Sequence, residues 1–188
     1  TPDIPVGGKF RLLAVQRLEI LQKRVDLILQ SFQSLQDEFD DWELHIVGEG
    51  PDRDSLVQMA ERHNNSLAIQ WHGNVHELAP HYRNAHLFII ASAWEGFPNA
   101  LAEALSYGLP AVGFADSQGV AQLIGHRSGW CASSKLPDVG LTPVLRTAMS
   151  SPAERKKRGQ MARLSMKAYS PDSHLNRWTS LINEVASN

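Results

Sequence analysis

Two glutamates flank a short helix signal in the middle of the chain. Glu95 and Glu103 are separated by seven residues in the stretch EGFPNALAE. Pro98 suits the beginning of a helix, because its missing N–H would be unpaired there, and Gly108 suits the left-handed residue that ends one. We therefore predict a helix over residues 98–107. Two carboxylates at such a site could cleave a glycosidic bond as acid and nucleophile, or they could bind sugar hydroxyls.

The first turn of this predicted helix has the properties of an anion site. The backbone N–H groups of Phe97, Asn99 and Ala100 follow the turn at Gly96, lack intrahelical partners and lie at the positive end of the helix dipole. Helical periodicity places Asn99 and Glu103 on the polar face. A phosphate beside two carboxylates is favourable only if the carboxylates bind neutral hydroxyls. A nucleotide sugar carries both kinds of group.

The elements that position this helix alternate between strands and helices. Apolar runs predict strands, the 3.6-residue period predicts helices, and Ser-Pro pairs mark two helix boundaries. The predicted strands cover residues 10–15, 42–47, 67–72, 86–91, 110–115 and 129–132. The predicted helices cover residues 25–39, 52–64, 77–84, 98–107, 136–149, 152–168 and 171–185.

This alternation predicts an α/β fold, a Rossmann-like, doubly wound parallel sheet with helices on both faces and a helical C-terminal extension. The ligands of such sheets bind beyond the carboxyl ends of the strands. The glutamate helix and the Gly-rich turn after residue 47 both follow such strand ends. We therefore expect the polar groups that follow these strands to form one site.

Composition excludes several classes of protein. The chain has 188 residues, enough for one domain, and its formal net charge of −2 argues against nucleic acid as a partner. The single cysteine, Cys131, excludes an internal disulfide and predicts a reducing compartment, so a cytoplasmic location is expected. No apolar run approaches the roughly 20 residues of a membrane-spanning helix. The start, TPD, predicts that the chain is part of a longer protein.

The stretches QRLEILQK, VGEGP, QWHGNV and EGFPNALAEA follow one another in this order between Gln16 and Ala104. They resemble motifs of retaining glycosyltransferases with the two-domain GT-B fold, especially family 4 (group 1). EGFPNALAEA resembles the E-x7-E signature, and QRLEILQK is similar to the GRL…KG segment, with Arg17 and Lys23 at its phosphate-binding positions. VGEGP resembles the Gly-rich loop, and QWHGNV is similar to the segment that contacts the base.

The resemblance implies a role for each matched residue. Glu95 would hold sugar hydroxyls, Glu103 would hold the ribose diol, and Arg17 and Lys23 would hold the diphosphate together with the amides after Gly96. The catalytic residues it implies are Glu95, Arg17 and Lys23. The implied donor is a nucleotide sugar, UDP- or GDP-linked, bound without a metal or another cofactor. The donor-binding residues it implies are Gly48, Gly50, Asn74, Val75, Gly96, Phe97, Pro98, Asn99, Ala100 and Glu103.

The resemblance covers nearly the whole chain, but only as the C-terminal, donor-binding half of such an enzyme. It implies a linker at residues 1–8, a nucleotide-sugar-binding Rossmann-like domain at residues 9–170 and, at residues 171–188, a helix that crosses back to an N-terminal domain. That domain would hold the acceptor, a glycan or lipid-linked molecule of polysaccharide or lipopolysaccharide synthesis, and the full-length enzyme could associate peripherally with the membrane. The chain alone is expected to bind donor without efficient transfer.

The chain departs from the family pattern at two positions. Gln16 stands where the family usually has glycine, and Arg24 follows Lys23 where glycine is also usual. These changes predict either a loop that approaches the phosphates less closely or an added phosphate contact from Arg24.

Two patterns could suggest a metal site. Asp52-Arg53-Asp54 spells D-x-D, a metal motif of a different glycosyltransferase fold, but we interpret it as the cap of the helix it begins, because carboxylates favour a first helical turn. His72 and His76 have ligand spacing without a third ligand. We therefore predict no metal.

Three alternative functions remain open from the residues. The glutamates could be a glycosidase pair, although a phosphate-binding helix between them on a doubly wound sheet disfavours it. The chain could also be a non-catalytic nucleotide-sugar-binding or interaction module, or part of a related-fold sugar-nucleotide epimerase or phosphorylase. The intact set of Arg17, Lys23, Glu95 and Glu103 disfavours a module that has lost turnover.

Overall fold

Six strands form one parallel sheet in the part of the chain that the structure, a computed structural model, describes, namely residues 5, 7–62, 66–135 and 140–186. They are β1 (Phe10–Val15), β2 (Trp42–Val47), β3 (Ile69–Gly73), β4 (Leu87–Ile90), β5 (Ala111–Phe114) and β6 (Gly129–Ala132). The strand order is β3-β2-β1-β4-β5-β6 with parallel neighbours. The chain winds outward from β1 in one direction and from β4 in the other, so the order reverses between these two strands.

Helices connect the strands and cover both faces of the sheet. They are α1 (Ile20–Lys23), α2 (Val25–Gln33), α3 (Arg53–Glu61), α4 (Ala79–Asn84), α5 (Asn99–Ser106), α6 (Gln118–Ile124), α7 (Leu141–Ser150), α8 (Pro152–Ser165) and α9 (Pro171–Ala186). This arrangement confirms the predicted Rossmann-like, doubly wound sheet and its helical C-terminal extension.

The hydrophobic core lies in two layers, one on each face of the sheet. On one face, buried residues of α2, α3 and α7 pack against alternate strand residues such as Leu12, Leu44 and Ile46. On the other face, α4, α5, α6 and α8 cover Leu13 and Phe88. The strands therefore read as apolar runs because both of their faces are buried.

Helix α5, which follows Glu95 and carries Glu103, forms close to its predicted bounds. It begins at Asn99 rather than at Pro98, which is extended at ψ 93° and accepts the first intrahelical bond from the N–H of Ala102 at 3.0 Å. Gly108 adopts the expected left-handed conformation at φ +79°. Leu101, Ala102, Ala104 and Leu105 are buried and leave the polar face outward.

Several predicted elements are shorter in the structure. The predicted helix 25–39 ends at Gln33, because residues 34–39 form turns in which the Gln36 amide donates to the carbonyls of Phe39 and Trp42 at 3.3 and 3.4 Å. The predicted strand 67–72 begins with a 3₁₀ turn, and the predicted helix 152–168 ends with one. These turns are Ser66–Ala68 and Met166–Tyr169.

Some predicted ends cannot be compared with the structure. Outside the described residues lie 1–4 and 6 of the predicted linker, 63–64 of the predicted helix 52–64, 136–139 of the predicted helix 136–149, and 187–188 of the C-terminal segment 171–188; residue 65 also lies outside them. Within the described chain, no helix combines the length and the apolar character that crossing a membrane requires.

The C-terminal helix α9 exposes an apolar surface. Its moderately to highly exposed side chains include Leu175, Trp178, Leu181, Ile182 and Val185, each at least 50% exposed. Their spacing of three and four residues places them on one side of the helix.

Candidate functional site

Three loops meet at the carboxyl edge of the sheet beside the point where the strand order reverses. The N–H of Gln16 donates to the carbonyl of Val47 at 3.0 Å, and the N–H of Gly48 donates to the carbonyl of Gly73 at 2.8 Å. The loops after β1, β2 and β3 therefore continue side by side beyond the strands. A cavity of about 360 Å³ opens there, and its lining includes Gln16, Arg17, Gly48, Asn74, Val75 and Ala100.

Both predicted loop glycines are required by close backbone contacts. A Cβ atom on Gly48, whose φ is +133°, would lie 2.1 Å from the carbonyl oxygen of Gln16, and one on Gly50 would lie 2.2 Å from that of Leu18. A side chain at either position would therefore push the first two loops apart. The resemblance implies that Gly48 and Gly50 contact the donor, whereas the close approach that the structure records at these glycines is between the two loops themselves.

Lys23 and Glu95, assigned from the sequence to different parts of a donor, form an ion pair. The Nζ atom of Lys23 lies 2.5 Å from Oε1 of Glu95, and their side chains are only 18% and 12% exposed. Backbone contacts hold the two segments together, because the N–H of Ala93 donates to the carbonyl of Gln22 at 2.8 Å. The side-chain amide of Gln22 also donates to the carbonyl of Trp94 at 3.2 Å.

The short helix that carries Lys23 is positioned by Asp52. Its Oδ2 atom accepts the N–H of Ile20 at 2.7 Å, which satisfies a free donor at the start of α1. Asp52 occupies the N-cap position of its own helix α3, as predicted, but its side chain makes no cap hydrogen bond there and instead caps α1. It joins two loops that are 32 residues apart in sequence.

Arg24 keeps the backbone shape that glycine would favour. Its φ of 50° and ψ of 44° are left-handed, a conformation that costs a side-chain-bearing residue about 1–2 kcal/mol. Its guanidinium lies over the ring of Phe114 at 5.9 Å from the centroid. Arg17 is the more open of the two cations, with a side chain 65% exposed and Nε 3.8 Å from Oε2 of Glu19.

The start of helix α6 packs against the turn that precedes α5. A Cβ atom on Gly119, at the start of α6, would lie 2.2 Å from the carbonyl oxygen of Gly96. Phe97 is 50% exposed, and its ring lies 5.7 Å from that of Tyr169. Among the described residues, no side chain caps the start of α5, so the N–H groups of Asn99 and Ala100 lack side-chain acceptors. They are available to an anion.

Glu103 has a buried partner that sequence reasoning missed. The hydroxyl of Tyr82 donates to Oε2 of Glu103 at 2.9 Å, and Tyr82 is 2% exposed. Burial, followed by the negative charge of Glu103, raises the pKa of Tyr82, which therefore remains a neutral donor. No spacing rule joins these residues, which lie 21 positions apart on α4 and α5.

A separate histidine cluster lies on β2, β3 and α4. Nδ1 of His45 lies 2.9 Å from Nε2 of His72, whose ring meets that of His81 at a centroid distance of 4.7 Å. Burial, together with neighbouring histidines and Arg11, lowers the pKa of His72 to about 4. Desolvation also lowers the pKa values of His45 and His81. Among the described residues, no group of three or more His, Cys, Asp or Glu could hold a metal ion.

This parallel sheet and its flanking helices match the fold of GT-B glycosyltransferases. The chain belongs to the family described as glycosyl transferases group 1, whose profile matches residues 4–165.

The relatives include proteins named for polysaccharide synthesis. The amylovoran biosynthesis glycosyltransferase AmsD of Erwinia amylovora is 27% identical over 181 residues, which are 96% of this chain and 50% of that protein. The chain spans about half the length of this relative and of others that it matches.

Solved structures share the fold. The pneumococcal O-GlcNAc transferase GtfA, in complex with UDP and GlcNAc, is 21% identical with a TM-score of 0.77 over 98% of this chain and 38% of its own. The C-terminal domain of a glycosyl transferase group 1 family protein (LpcC) from Francisella tularensis is 18% identical with a TM-score of 0.74. That match covers 88% of this chain and 87% of the domain.

Proposed function

We propose that this chain is the donor-binding half of a retaining glycosyltransferase of family 4, and that it binds a UDP- or GDP-linked sugar. The observation that carries the proposal is the meeting of Lys23, Glu95 and the start of α5 at one edge of the sheet, although Lys23 and Glu95 lie 72 residues apart. The cavity beside them and the UDP complex of the GtfA neighbour support the same assignment.

The ion pair is compatible with both of its members contacting the donor. Lys23 has three N–H donors and gives one to Glu95, so two remain for phosphate oxygens. Glu95 keeps its second oxygen for sugar hydroxyls. Lys23, Arg17 and the free amides of α5 would stabilise the negative charge that develops on the leaving diphosphate, which is the group whose charge changes most during transfer.

The proposal requires no metal. The anion is assigned to basic side chains and to a helix N-terminus, which together neutralise a diphosphate without a metal ion. Chelation with EDTA should therefore leave nucleotide affinity unchanged. A strict requirement for Mn²⁺ would contradict this assignment.

The acceptor is assigned to an N-terminal domain outside this chain. The exposed apolar side of α9 is the surface on which that domain would pack, because exposed apolar patches of this kind mark interaction surfaces. The names of relatives favour a glycan or lipid-linked acceptor of polysaccharide or lipopolysaccharide synthesis. The full-length enzyme would then act in the cytoplasm, with peripheral contact to the membrane.

The test separates the two glutamates by the part of the donor that each holds. Glu103→Ala should weaken both the free nucleotide and the matching nucleotide sugar, because both contain the ribose. Glu95→Ala should weaken only the nucleotide sugar, and each loss should be about 1–3 kcal/mol for a charged hydrogen bond. Calorimetric titration of both variants with UDP, GDP and the corresponding sugar nucleotides measures this pattern.

Two outcomes would contradict the proposal. Equal losses of both ligands in both variants would mean that the glutamates only support the loop, and no binding of any nucleotide by the parent chain would remove the function itself. Glu61→Ala, an exposed glutamate on α3, is the matched control and should bind both ligands like the parent.

A further inference from the structure

Tyr82 connects two parts of the candidate site. It lies on α4, where its N–H donates to the carbonyl of Leu78 at 3.1 Å, and Leu78 lines the cavity together with Val75. Its hydroxyl reaches α5, where it donates to Oε2 of Glu103 at 2.9 Å. The side chain of Tyr82 therefore links α4, which follows the loop after β3, to the polar face of α5.

The ring of Tyr82 is fixed by its surroundings. It stacks on the ring of Tyr107 at a centroid distance of 5.3 Å and an interplanar angle of 24°, and it lies 6.4 Å from the ring of Phe88. With 2% of its surface exposed, it has no room to adopt another rotamer. The hydroxyl is thus held at one place.

This hydroxyl restricts the Glu103 side chain without consuming its binding capacity. An ionised carboxylate accepts about four hydrogen bonds, and Tyr82 occupies one lone pair of Oε2. Oε1 remains available to a ligand. A glutamate on an exposed helix face otherwise samples several rotamers, and fixing such a side chain on binding carries an entropic cost. Tyr82 removes part of that cost beforehand.

We propose that Tyr82 is a positioning residue, which presents the Glu103 carboxylate to the vicinal hydroxyls of a ribose. The inference rests on the proposed function, since it assumes that Glu103 meets the ribose of a nucleoside diphosphate. It adds that recognition of the sugar ring of the nucleotide depends on a residue that does not touch the ligand, since the Tyr82 hydroxyl contacts Glu103 at 2.9 Å and, more distantly, the carbonyl of Ala100 at 3.4 Å.

The test uses Tyr82→Phe and two ligands that differ only in the ribose hydroxyls. The nucleoside diphosphate that the parent chain binds best among UDP, GDP and ADP is compared with its 2′,3′-dideoxy form. The variant should lose about three- to tenfold in affinity for the ribonucleotide, as expected for one newly mobile side chain. Affinity for the dideoxy form should change by less than twofold.

A double-mutant cycle separates positioning from a general structural role. In a Glu103→Ala background, Tyr82→Phe should have no further effect on ribonucleotide affinity, because the carboxylate that it orients is gone. Tyr107→Phe removes a hydroxyl from the ring that stacks on Tyr82, and this control should bind both ligands like the parent. Thermal unfolding of each variant shows whether it is folded.

The outcomes distinguish this inference from the proposed function. Equal losses of both ligands in Tyr82→Phe, or no loss of either, would overturn the positioning role. If Glu103→Ala in that case still lost affinity for the ribonucleotide and not for the dideoxy form, the proposed function would stand without the positioning role of Tyr82. A parent chain that binds none of the three nucleotides would overturn both.

Discussion

Polar side chains at the amino and carboxyl ends of the sheet differ in their surroundings. At the amino end, Arg155 is 6% exposed and lies over the rings of Trp42 and Phe10, at 4.9 and 5.4 Å from their centroids. Its guanidinium donates to the carbonyls of Ala148 at 2.9 Å and of the next residue at the end of α7. Desolvation lowers the pKa of Arg155 to about 10, so it remains charged at neutral pH.

At the carboxyl end, several buried polar atoms have no partner within the described chain. Both amide atoms of Gln16 and the hydroxyls of Ser92 and Ser117 are buried without a hydrogen bond. Arg24 is left-handed in the same region. Buried polar atoms without hydrogen bonds and unfavourable backbone conformations are more frequent at functional sites. Polar groups with hydrogen-bond partners are typical of regions that stabilise the fold. Unpartnered buried atoms also occur near the amino end, namely Nε of Arg11 and Oε1 of Gln36, so the contrast between the two ends rests on Arg155 and on the polar groups that follow the strands.

Arg155→Ala should give the largest effect and should act on stability alone. The variant loses two carbonyl contacts, the packing of the side-chain stem and two cation–π contacts, so the free energy of unfolding should fall by about 2–4 kcal/mol. Urea denaturation measures this change. Lys157→Ala on the same helix, 73% exposed in its side chain, is the control and should stay within about 0.5 kcal/mol. A loss of nucleotide affinity in folded Arg155→Ala would contradict the view that the amino end of the sheet contributes to stability and not to binding.

Lys23→Ala should act mainly on binding. Removing a charged donor from the diphosphate should weaken nucleoside-diphosphate affinity by about 1.5–3 kcal/mol. Because Glu95 is then left without its partner, stability should also fall, and Lys23→Ala combined with Glu95→Gln should restore most of it. Calorimetry and urea denaturation together separate the two effects. Lys9→Ala, at the amino end, is the control, and an unchanged affinity in Lys23→Ala would remove this residue from the site.

The histidine cluster should make stability depend on pH. The pKa of His72 is lowered from its ordinary value of 6.5 to about 4, so the unfolded chain takes up protons before the folded chain does. The stabilisation is complete above pH 6.5 and is lost as the pH falls towards 4. Allowing for solvent screening, unfolding at pH 5 should be easier by about 1–2 kcal/mol than at pH 7.

His72→Gln is the variant that tests this pH dependence. It removes the titrating ring from between His45 and His81, and Glu43 and Arg11 are the charged neighbours that remain. The slope of unfolding free energy between pH 5 and 7 should fall in the variant. An unchanged slope would assign the pH dependence to other groups.

Gln16→Met should give the smallest effect, and its sign is opposite to that of the others. Replacing a buried amide without partners by an apolar side chain of similar length should raise stability by about 1 kcal/mol, or the melting temperature by about 2–4 °C. Gln70→Met, at an exposed position on β3, should change stability little. A destabilised Gln16→Met would show that the amide is satisfied in solution and would weaken the contrast between the two ends.

Local sequence patterns determined most of the fold. The strands at residues 10–15, 42–47 and 129–132 have their predicted bounds, because apolar runs and the polar residues around them act locally. The helix between Glu95 and Glu103 was predictable for the same reason, since Pro98 and Gly108 mark its ends. The predicted end of α2 was wrong because the Gln36 side chain donates hydrogen bonds to backbone carbonyls of the turns that follow this helix.

The contacts within the candidate site were decided by tertiary structure. Lys23 meets Glu95 across 72 residues, Tyr82 meets Glu103 across 21, and Asp52 meets the start of α1 across 32. Alternating strands and helices predict a parallel sheet, but they do not specify the order of its strands or which loops become neighbours. The pairing of β1 with β4 brings Lys23 to Glu95, and the pairing of β1 with β2 brings together the two loops whose contact makes glycine necessary at residues 48 and 50.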